Sequence, residues 1–251
     1  WIHTDYSTID VNADLELPIW DSYNHIISIS DHVSKTFSTV FPSLRPKLLR
    51  IDNLLTSDFV RQRAQGERPI DMPLYKDAIH LLTIGRYSYQ KNIESIPLLC
   101  RLLRELGLNI HWFVIGYGDD TLIQNALSLE QMEGHVHLLG KRTNPYPYIA
   151  HCDWYIQPSR YEGKSIAVTE AQILGKPVIV TAYPTAASQI KQGQDGLIVP
   201  MDSPEVTAKA MAKALRDTPL REHIFTYLQA NDYGNAEEVE KIYHLVSDIH
   251  R

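Results

Sequence analysis

The chain has 251 residues, 44% hydrophobic and 22% charged, which is the composition of a globular protein with one large or two smaller domains. Its formal net charge of −6 argues against a broad nucleic-acid surface. No apolar run approaches the roughly 20 residues that span a bilayer. The two cysteines, Cys100 and Cys152, lie among apolar residues, which favours free core thiols in a reducing compartment.

The first part of the chain has the pattern of an incomplete βα unit. Apolar residues predict short strands at 1–4, 25–30 and 47–51, with a helix from Asp31, its predicted N-cap, to about Val40. A sheet of so few strands would leave much of its apolar edge exposed to solvent. We therefore expect that this segment forms only the end of a larger sheet. Residues 53–77 are polar and rich in turn residues, which predicts an interdomain linker.

The remaining sequence alternates between strands and helices. Apolar runs predict strands near 80–85, 109–116, 135–140, 154–156, 177–181 and 197–199, with helices between most of them. This alternation predicts an α/β fold with a parallel sheet flanked by helices. A last amphipathic helix is predicted over 235–249. His135 and His137 share one strand face and, without a third ligand nearby, indicate sheet packing or a surface rather than a zinc site.

Charged residues and glycines follow two of these strands. Arg86 and Lys91 flank the start of a helix, where positive charge is unfavourable unless an anion offsets it, so they suggest a diphosphate site. The alternative is a pair of solvated surface charges. Gly116 and Gly118 follow the next strand, but the third glycine of a dinucleotide fingerprint is missing, so this signal is weak.

The stretch 157–178 combines two acids with the start of a helix. Glu162 lies in the loop after a strand, at the end of the sheet where ligands bind, and Glu170 lies within a mostly apolar helix. The amides of Gly163, Lys164 and Ser165 open that helix and would attract an anion. Carboxylates bind hydroxyl groups and helix amides bind phosphate, which suggests a sugar joined to a phosphate. The alternative is that both acids are ordinary solvated side chains.

The segment Glu162-Gly-Lys-Ser-Ile-Ala-Val-Thr-Glu170 resembles the E-x7-E motif of the retaining glycosyltransferases of family 4. Pro158-Ser159 and Gly175-x-Pro177 around it, Gly85-Arg86 with Lys91-Asn92, and the segment at 2–6 also resemble the family. The resemblance implies the GT-B fold, in which two Rossmann-like domains face a cleft. It divides the chain into a remnant of the acceptor-side domain with a linker (1–70), a nucleotide-sugar-binding domain (71–232) and a helix returning to the first domain (233–251). It also implies that roughly a hundred residues of the first domain are absent.

The same resemblance assigns roles to individual residues. It implies that Glu162 binds the hydroxyls of the donor sugar and that Glu170 binds the ribose. A catalytic set would comprise Glu162, Arg86, Lys91 and His3, the last facing the reacting sugar. The nucleotide would be bound by Gly85, Gly116, Gly118, Lys141, Arg142, Gly163, Lys164, Ser165 and Glu170.

These roles predict a hexosyltransferase that moves a sugar from a UDP- or GDP-linked donor to a glycan or lipid-linked acceptor with retention. Fixed cations would serve the diphosphate, so no metal and no other cofactor is expected, and no nucleic-acid partner. Family context implies bacterial surface-polysaccharide synthesis in the cytoplasm at the inner face of the plasma membrane, with peripheral association through the absent N-terminal region. The fragment alone should bind donor but transfer poorly. The alternatives are a non-catalytic nucleotide-sugar-binding module and a GT-B-like sugar-nucleotide epimerase. A nicotinamide dehydrogenase is disfavoured because its fingerprint is incomplete.

Overall fold

A computed structural model describes residues 1–2, 6–7 and 9–249. It contains two parallel sheets, a small one near the start of the chain and a six-stranded one after it. None of the helices in the described ranges is both long enough and apolar enough to cross a bilayer.

The small unit packs two helices beside a pair of parallel strands. Its elements are α1 (Ala13–Asp21), β1 (Ile26–Ser28), α2 (Asp31–Val40) and β2 (Leu48–Arg50), and Ile2 adds a single parallel bridge to Ser28. Phe37 is fully buried at its centre and meets the rings of Tyr6 and Trp20 edge to face, at 5.2 and 5.3 Å. Edge-to-face ring pairs add to the burial of apolar area, so this aromatic cluster holds a unit with little sheet of its own.

The large sheet is entirely parallel, with the strand order β5-β4-β3-β6-β7-β8. If β3 is counted as the first of the six, this is the order 3-2-1-4-5-6 of dinucleotide-binding sheets. The chain adds strands toward one edge of the sheet from β3 to β5 and toward the other edge from β6 to β8. At this reversal point, between β3 and β6, the loops that follow the two strands leave toward opposite faces and open a crevice. Its strands are β3 (Ile79–Tyr87), β4 (Ile110–Gly118), β5 (Val136–Gly140), β6 (Trp154–Gln157), β7 (Val178–Thr181) and β8 (Leu197–Val199).

Two apolar layers cover the sheet because neighbouring residues of a strand point to opposite faces. Leu81 and Trp154 belong to the layer under α4 (Ile96–Glu105), α5 (Thr121–Glu130), α9 (Pro204–Arg216) and α10 (Thr218–Ala230). Leu82 and Tyr155 belong to the layer under α6 (Tyr146–His151), α7 (Ile166–Ile173) and α8 (Ala186–Gln189). The apolar runs of the strands are therefore explained by burial on both faces. Cys100 and Cys152 lie in these layers as free, buried thiols, as predicted.

The segments that connect the two units are more ordered than the polar composition of 53–77 indicates. A helix, α3 (Ser57–Arg63), lies within the predicted linker and packs against α6 and α7. The last helix, α11 (Glu238–Ile249), begins three residues later than predicted, and Glu238 accepts a hydrogen bond from the Asp52 amide at 3.1 Å. The Asn235 amide donates to the Leu55 carbonyl at 2.9 Å, and the Leu55 amide donates to Asn235 Oδ1 at 2.8 Å. The end of the chain therefore contacts the segment that leaves the small unit.

One predicted helix cap differs from the structure, and two further helices have no counterpart among the predicted elements. Ser30, not Asp31, caps α2, because its hydroxyl accepts the Val33 amide at 3.2 Å. Helices α1 and α10 were not predicted. Helix α1 contains Pro18 and has no buried residue, so it lacks the apolar periodicity that marks a helix in a sequence.

Histidines from three strands form a stack on one face of the sheet. His80 and His111 are register partners on β3 and β4, and His137 on β5 contacts His111 through ring nitrogens 2.9 Å apart. Tyr75 covers His111 with the two rings nearly parallel and their centroids 3.4 Å apart. Burial, and then the neighbouring histidines, lower the pKa of His111 to about 4, and burial also lowers the pKa of His137. His137 therefore serves sheet packing, one of the two roles predicted for it.

This stack predicts a loss of stability in mild acid. The unfolded chain takes up protons below about pH 6.5, whereas His111 stays neutral in the folded chain until about pH 4, so acid favours unfolding in that window. We expect the free energy of unfolding to fall by about 1–2 kcal/mol from His111 alone between pH 7.5 and 5. Urea titrations should show a shallower pH dependence for His111→Gln. The exposed His223 on α10 gives the control, since His223→Gln should retain the full slope. An unchanged slope in His111→Gln would contradict this assignment.

Candidate functional site

A cavity of about 500 Å³ opens at the reversal point of the sheet, between the large sheet and the small unit. The loop after β3 and the loop after β6 form most of its wall, and Ile29 and Asn53 close it from the side of the small unit. Such a crevice, beyond the carboxyl ends of the strands, is where open α/β sheets bind ligands. The predicted residues Arg86, Lys91, Glu162, Gly163, Lys164, Ser165 and Glu170 all line it.

Hydrogen bonds join the two loops to each other. Asn92, in a left-handed conformation, donates its side-chain amide to the Pro158 carbonyl at 3.0 Å. The Arg160 amide donates to the Gln90 carbonyl at 2.8 Å, and the Arg160 guanidinium lies 4.0 Å from the centre of the Tyr89 ring. Residues that are about 70 positions apart in sequence are thereby fixed side by side, and with them Lys91 and Glu162.

Glu162 is a buried carboxylate surrounded by donors. It is 5% exposed, and its Oε1 accepts from Lys91 Nζ at 2.6 Å, Ser159 Oγ at 2.6 Å and Gln157 Nε2 at 3.2 Å. A buried charge is costly unless it is paired and hydrogen-bonded, and these contacts meet both conditions. The other oxygen, Oε2, has only a longer contact of 3.4 Å from Gln90 among the described residues. Oε2 is therefore the oxygen with capacity left for a hydroxyl group of a ligand.

Glu170 lies on α7 and is only partly buried. Its Oε1 accepts a hydrogen bond from the Tyr146 hydroxyl at 2.9 Å. Burial raises the pKa of Glu170, and the Tyr146 hydrogen bond opposes that rise. The carboxylate is thus oriented by a neutral donor and is available to further donors in the cavity.

The positive groups differ in how far they are engaged. Arg86 is exposed at the end of β3, and its side chain has no hydrogen bond or ion pair within the described part of the chain. Lys91 is 17% exposed and is paired with Glu162. Gly85 leaves space for the aliphatic part of the Lys91 side chain, since a Cβ at position 85 would lie 3.3 Å from Lys91 Cδ. Arg86 is therefore the cation on this wall that has charge available for an anion, while the charge of Lys91 is shared with Glu162.

The three backbone amides predicted to bind an anion are not equivalent. The Ser165 amide donates to Gln189 Oε1 at 3.1 Å, so it is already occupied. In the ranges that the structure describes, the amides of Gly163 and Lys164 form no hydrogen bond and border the cavity. An anion at the start of α7 would therefore meet these two amides first.

The other predicted residues that the structure describes lie outside the cavity wall. Gly116 pairs with Gly85 in the sheet, and Gly118 adopts a φ of +120° beside the Tyr87 backbone. Lys141 lies over the Tyr117 ring at 5.3 Å, and Arg142 pairs with Asp71 and donates to the Tyr148 hydroxyl at 2.9 Å. His3 falls outside the described residues.

Several cavity residues were missed from the sequence. They are Ile29, Asn53, Gln90 and Tyr161 on the wall, with Gln157 and Ser159 behind Glu162. The polar pair Gln157 and Ser159 at the end of an apolar strand was a usable signal, because both are fully buried and such groups need partners. Asn53 gave no such signal, since its position depends on how the two units meet. Across the described residues, no cluster of three or more His, Cys, Asp or Glu side chains is arranged to hold a metal ion.

A family comparison agrees with this geometry. The sequence profile described as glycosyl transferases group 1 matches residues 67–229. The chain belongs to the group 1 glycosyl transferases. Among curated relatives, the N-acetylgalactosaminyltransferase of Campylobacter jejuni that acts on N-acetylgalactosamine-N,N'-diacetylbacillosaminyl-diphospho-undecaprenol is 28% identical over 159 residues, which are 62% of this chain and 42% of that protein. The lipopolysaccharide glucosyltransferase WaaG of Escherichia coli K12 is 25% identical over 171 residues, 67% of this chain and 45% of that protein. The chain thus spans less than half the length of these two relatives.

Solved structures show the same architecture for this group 1 chain. The Anabaena protein HepE, crystallised with UDP and glucose, superimposes with a TM-score of 0.80 at 17% identity, covering 98% of this chain and 70% of HepE. At that identity the likeness establishes the fold. It confirms the predicted GT-B class, with the small unit included in the matched region.

The contact between β3 and β4 beneath the cavity predicts a strict need for glycine at 116. A Cβ there would lie 2.4 Å from the Gly85 carbonyl oxygen and 2.6 Å from Tyr87 Cε1, so the strands would have to separate. We expect Gly116→Ala to lower the free energy of unfolding by about 2–3 kcal/mol. Gly134→Ala is the matched control, because a Cβ at 134 meets nothing within 4 Å. Equal urea midpoints for the two variants would contradict the packing argument.

The Lys91–Glu162 pair predicts a non-additive mutant cycle. Lys91→Met leaves a buried carboxylate without its cation, and we expect it to cost about 2–3 kcal/mol of unfolding free energy. The double variant Lys91→Met/Glu162→Gln removes both charges and keeps the neutral donors, so it should regain most of that loss. Lys213→Met on the exposed face of α9 is the control and should match the wild type. A double variant as unstable as Lys91→Met would show that the charge is not the cause.

Proposed function

We propose that the protein is a retaining glycosyltransferase of family 4 that binds a nucleotide-sugar donor, UDP- or GDP-linked, in the cavity at the reversal point. The observation that carries the proposal is the convergence on one cavity of about 500 Å³ of two acids, three cations and two unpaired amides. A glycosyl diphosphate has hydroxyl groups at one end and two phosphates in the middle, and this set of groups matches both.

Each group has a role that its surroundings support. Glu162 Oε2 would accept a hydroxyl of the transferred sugar, and Glu170 would accept hydroxyls of the ribose. Arg86, Lys91 and the amides of Gly163 and Lys164 would neutralise the charge that builds on the departing diphosphate. Fixed charges that are in place before the reaction cost no reorganisation, and such stabilisation is often the largest catalytic contribution. We propose that these fixed cations serve in place of a divalent metal.

The role of Glu162 in this scheme is binding. Its Oε1 is occupied by three donors, which hold the carboxylate in one orientation and leave Oε2 to accept a hydroxyl group of the sugar. The anomeric outcome can be read without an acceptor, from the slow hydrolysis of UDP-glucose followed by NMR. Release of α-glucose first would support retention, and release of β-glucose first would refute it.

The acceptor and the setting are further proposals. The relatives named above act on an undecaprenyl diphosphate-linked glycan and on lipopolysaccharide, which supports a glycan or lipid-linked acceptor and a role in bacterial surface-polysaccharide synthesis. Because the chain spans under half of those proteins, we propose that this portion, residues 71–232 above all, supplies donor binding. Transfer would need the remainder of an acceptor-side domain, of which residues 1–70 would be the end.

Binding of nucleotide sugars tests the proposal directly. A thermal-shift panel of UDP-glucose, UDP-N-acetylglucosamine, GDP-mannose and ADP-glucose should identify a donor, and calorimetry should then give its affinity. Glu170→Ala should weaken that affinity about tenfold or more, because hydrogen bonds to a charged acceptor are lost. Glu133→Ala, an exposed acid away from the cavity, should bind as the wild type does. The proposal fails if the wild type binds no member of the panel, and the ribose assignment fails if Glu170→Ala binds normally.

A further inference from the structure

The loop between β6 and α7 is anchored by side-chain hydrogen bonds at its two ends, while the backbone in its middle is not. At one end of this loop, the Glu162 carbonyl accepts the Thr185 hydroxyl at 2.7 Å. At the other end, the Gln189 side chain accepts from the Ser165 amide at 3.1 Å and donates to the Ser165 carbonyl at 2.7 Å. Between these anchors, the backbone of Gly163 and Lys164 has no hydrogen bond to any described residue. These are the two amides proposed above to meet the diphosphate.

The side chain of Lys164 supplies the missing anchor, and it does so across the cavity. Its Nζ donates to Asp52 Oδ2 at 2.8 Å, and Asp52 lies just after β2 in the small unit. The two residues are 112 positions apart in sequence. A loop of the large sheet is therefore tied to the small unit by one ion pair.

Asp52 is a junction of three parts of the chain. Its residue exposure is 7%, its Oδ2 also accepts from Arg50 at 3.2 Å, and its amide donates to Glu238 on α11. Its other oxygen, Oδ1, is buried without a hydrogen bond within the described residues. A buried acid with partners from β2, α11 and the cavity loop is held firmly in place, so it can fix the position of whatever it binds.

From these contacts we infer that Lys164 is a positioning residue. Through its ion pair with Asp52, it couples the position of the Gly163 and Lys164 amides to the position of the small unit. The ion pair makes the geometry of the diphosphate site depend on the approach of the two units, and by reciprocity a bound diphosphate favours that approach. This inference rests on the proposed function and adds to it a means by which the acceptor side affects donor binding.

The pair can be broken without leaving a bare buried charge. Lys164→Met removes the cation and keeps the length of the side chain, while Asp52 retains Arg50 as a partner. Asp52→Asn removes the charge at the other end. Arg50→Met is the matched control, because it takes the second cation from Asp52 without breaking the tie across the cavity. Lys164→Arg keeps the charge and tests whether the ion pair is what matters.

The experiment compares two probes by calorimetry with the whole chain. One probe is UDP-glucose, which has a second phosphate and a sugar, and the other is UMP, which lacks both. If the thermal-shift panel identifies a guanine nucleotide as the donor, GDP-mannose and GMP replace them. We expect Lys164→Met and Asp52→Asn each to weaken UDP-glucose binding about five-fold or more. The double variant should bind no more weakly than either single variant, since both remove the same contact. UMP affinity should be unchanged throughout, and Lys164→Arg and Arg50→Met should bind UDP-glucose as the wild type does.

Three results would overturn the inference while leaving donor binding intact. They are normal UDP-glucose affinity in both single variants, losses that multiply in the double variant, and a parallel loss of UMP affinity, which would indicate a general effect on the fold. A wild type that binds no nucleotide sugar would instead overturn the proposed function, so the two failures can be told apart.

Discussion

The organisation of the molecule depends on the reversal of strand order between β3 and β6. From β3 the chain adds strands toward one edge of the sheet, and from β6 it adds strands toward the other edge. The connections that leave β3 and β6 therefore diverge and do not pack over each other. The gap between them has to be filled by loops, and loops at the carboxyl ends of parallel strands present side chains to solvent. Arg86 lies at the end of β3 and Lys91 in the loop after it, while Glu162 lies in the loop after β6, which is why residues so far apart in sequence share a cavity.

Placing a carboxylate in that gap requires a set of supporting groups. Glu162 is buried, and its charge is tolerated because Lys91, Ser159 and Gln157 all donate to it. Those donors are held in turn, for instance by the bond from Gln157 to Ser159 at 2.8 Å. The network explains the polar residues at the end of the otherwise apolar strand β6, which have no place in a purely hydrophobic core.

Much of the large sheet could be predicted from the sequence, because a strand buried on both faces is a continuous apolar run. The runs around Trp112 and Trp154 are examples. The amphipathic helix α9 was also predictable, with Ser203 as its cap. Helix α1 was not, because none of its residues is buried, and α3 is only seven residues long.

The site was predictable where its residues are close in sequence and unpredictable where they come from distant elements. Glu162 and Glu170 could be proposed together because a loop and the following helix present them at a fixed spacing. The contact of Lys164 with Asp52 could not, since no local pattern relates residues 112 positions apart. The occupied amide of Ser165 was hidden for the same reason, because Gln189 belongs to the next βα unit.

The bonds that join the two cavity loops, from Asn92 to Pro158 and from Arg160 to Gln90, have a thermodynamic consequence. A loop that becomes ordered only when it meets its ligand loses conformational entropy at that moment, and the observed affinity is smaller by that amount. Here the two loops already behave as one preorganised body. Interaction energy with a bound molecule is then available for discrimination among similar molecules instead of being consumed in ordering the chain.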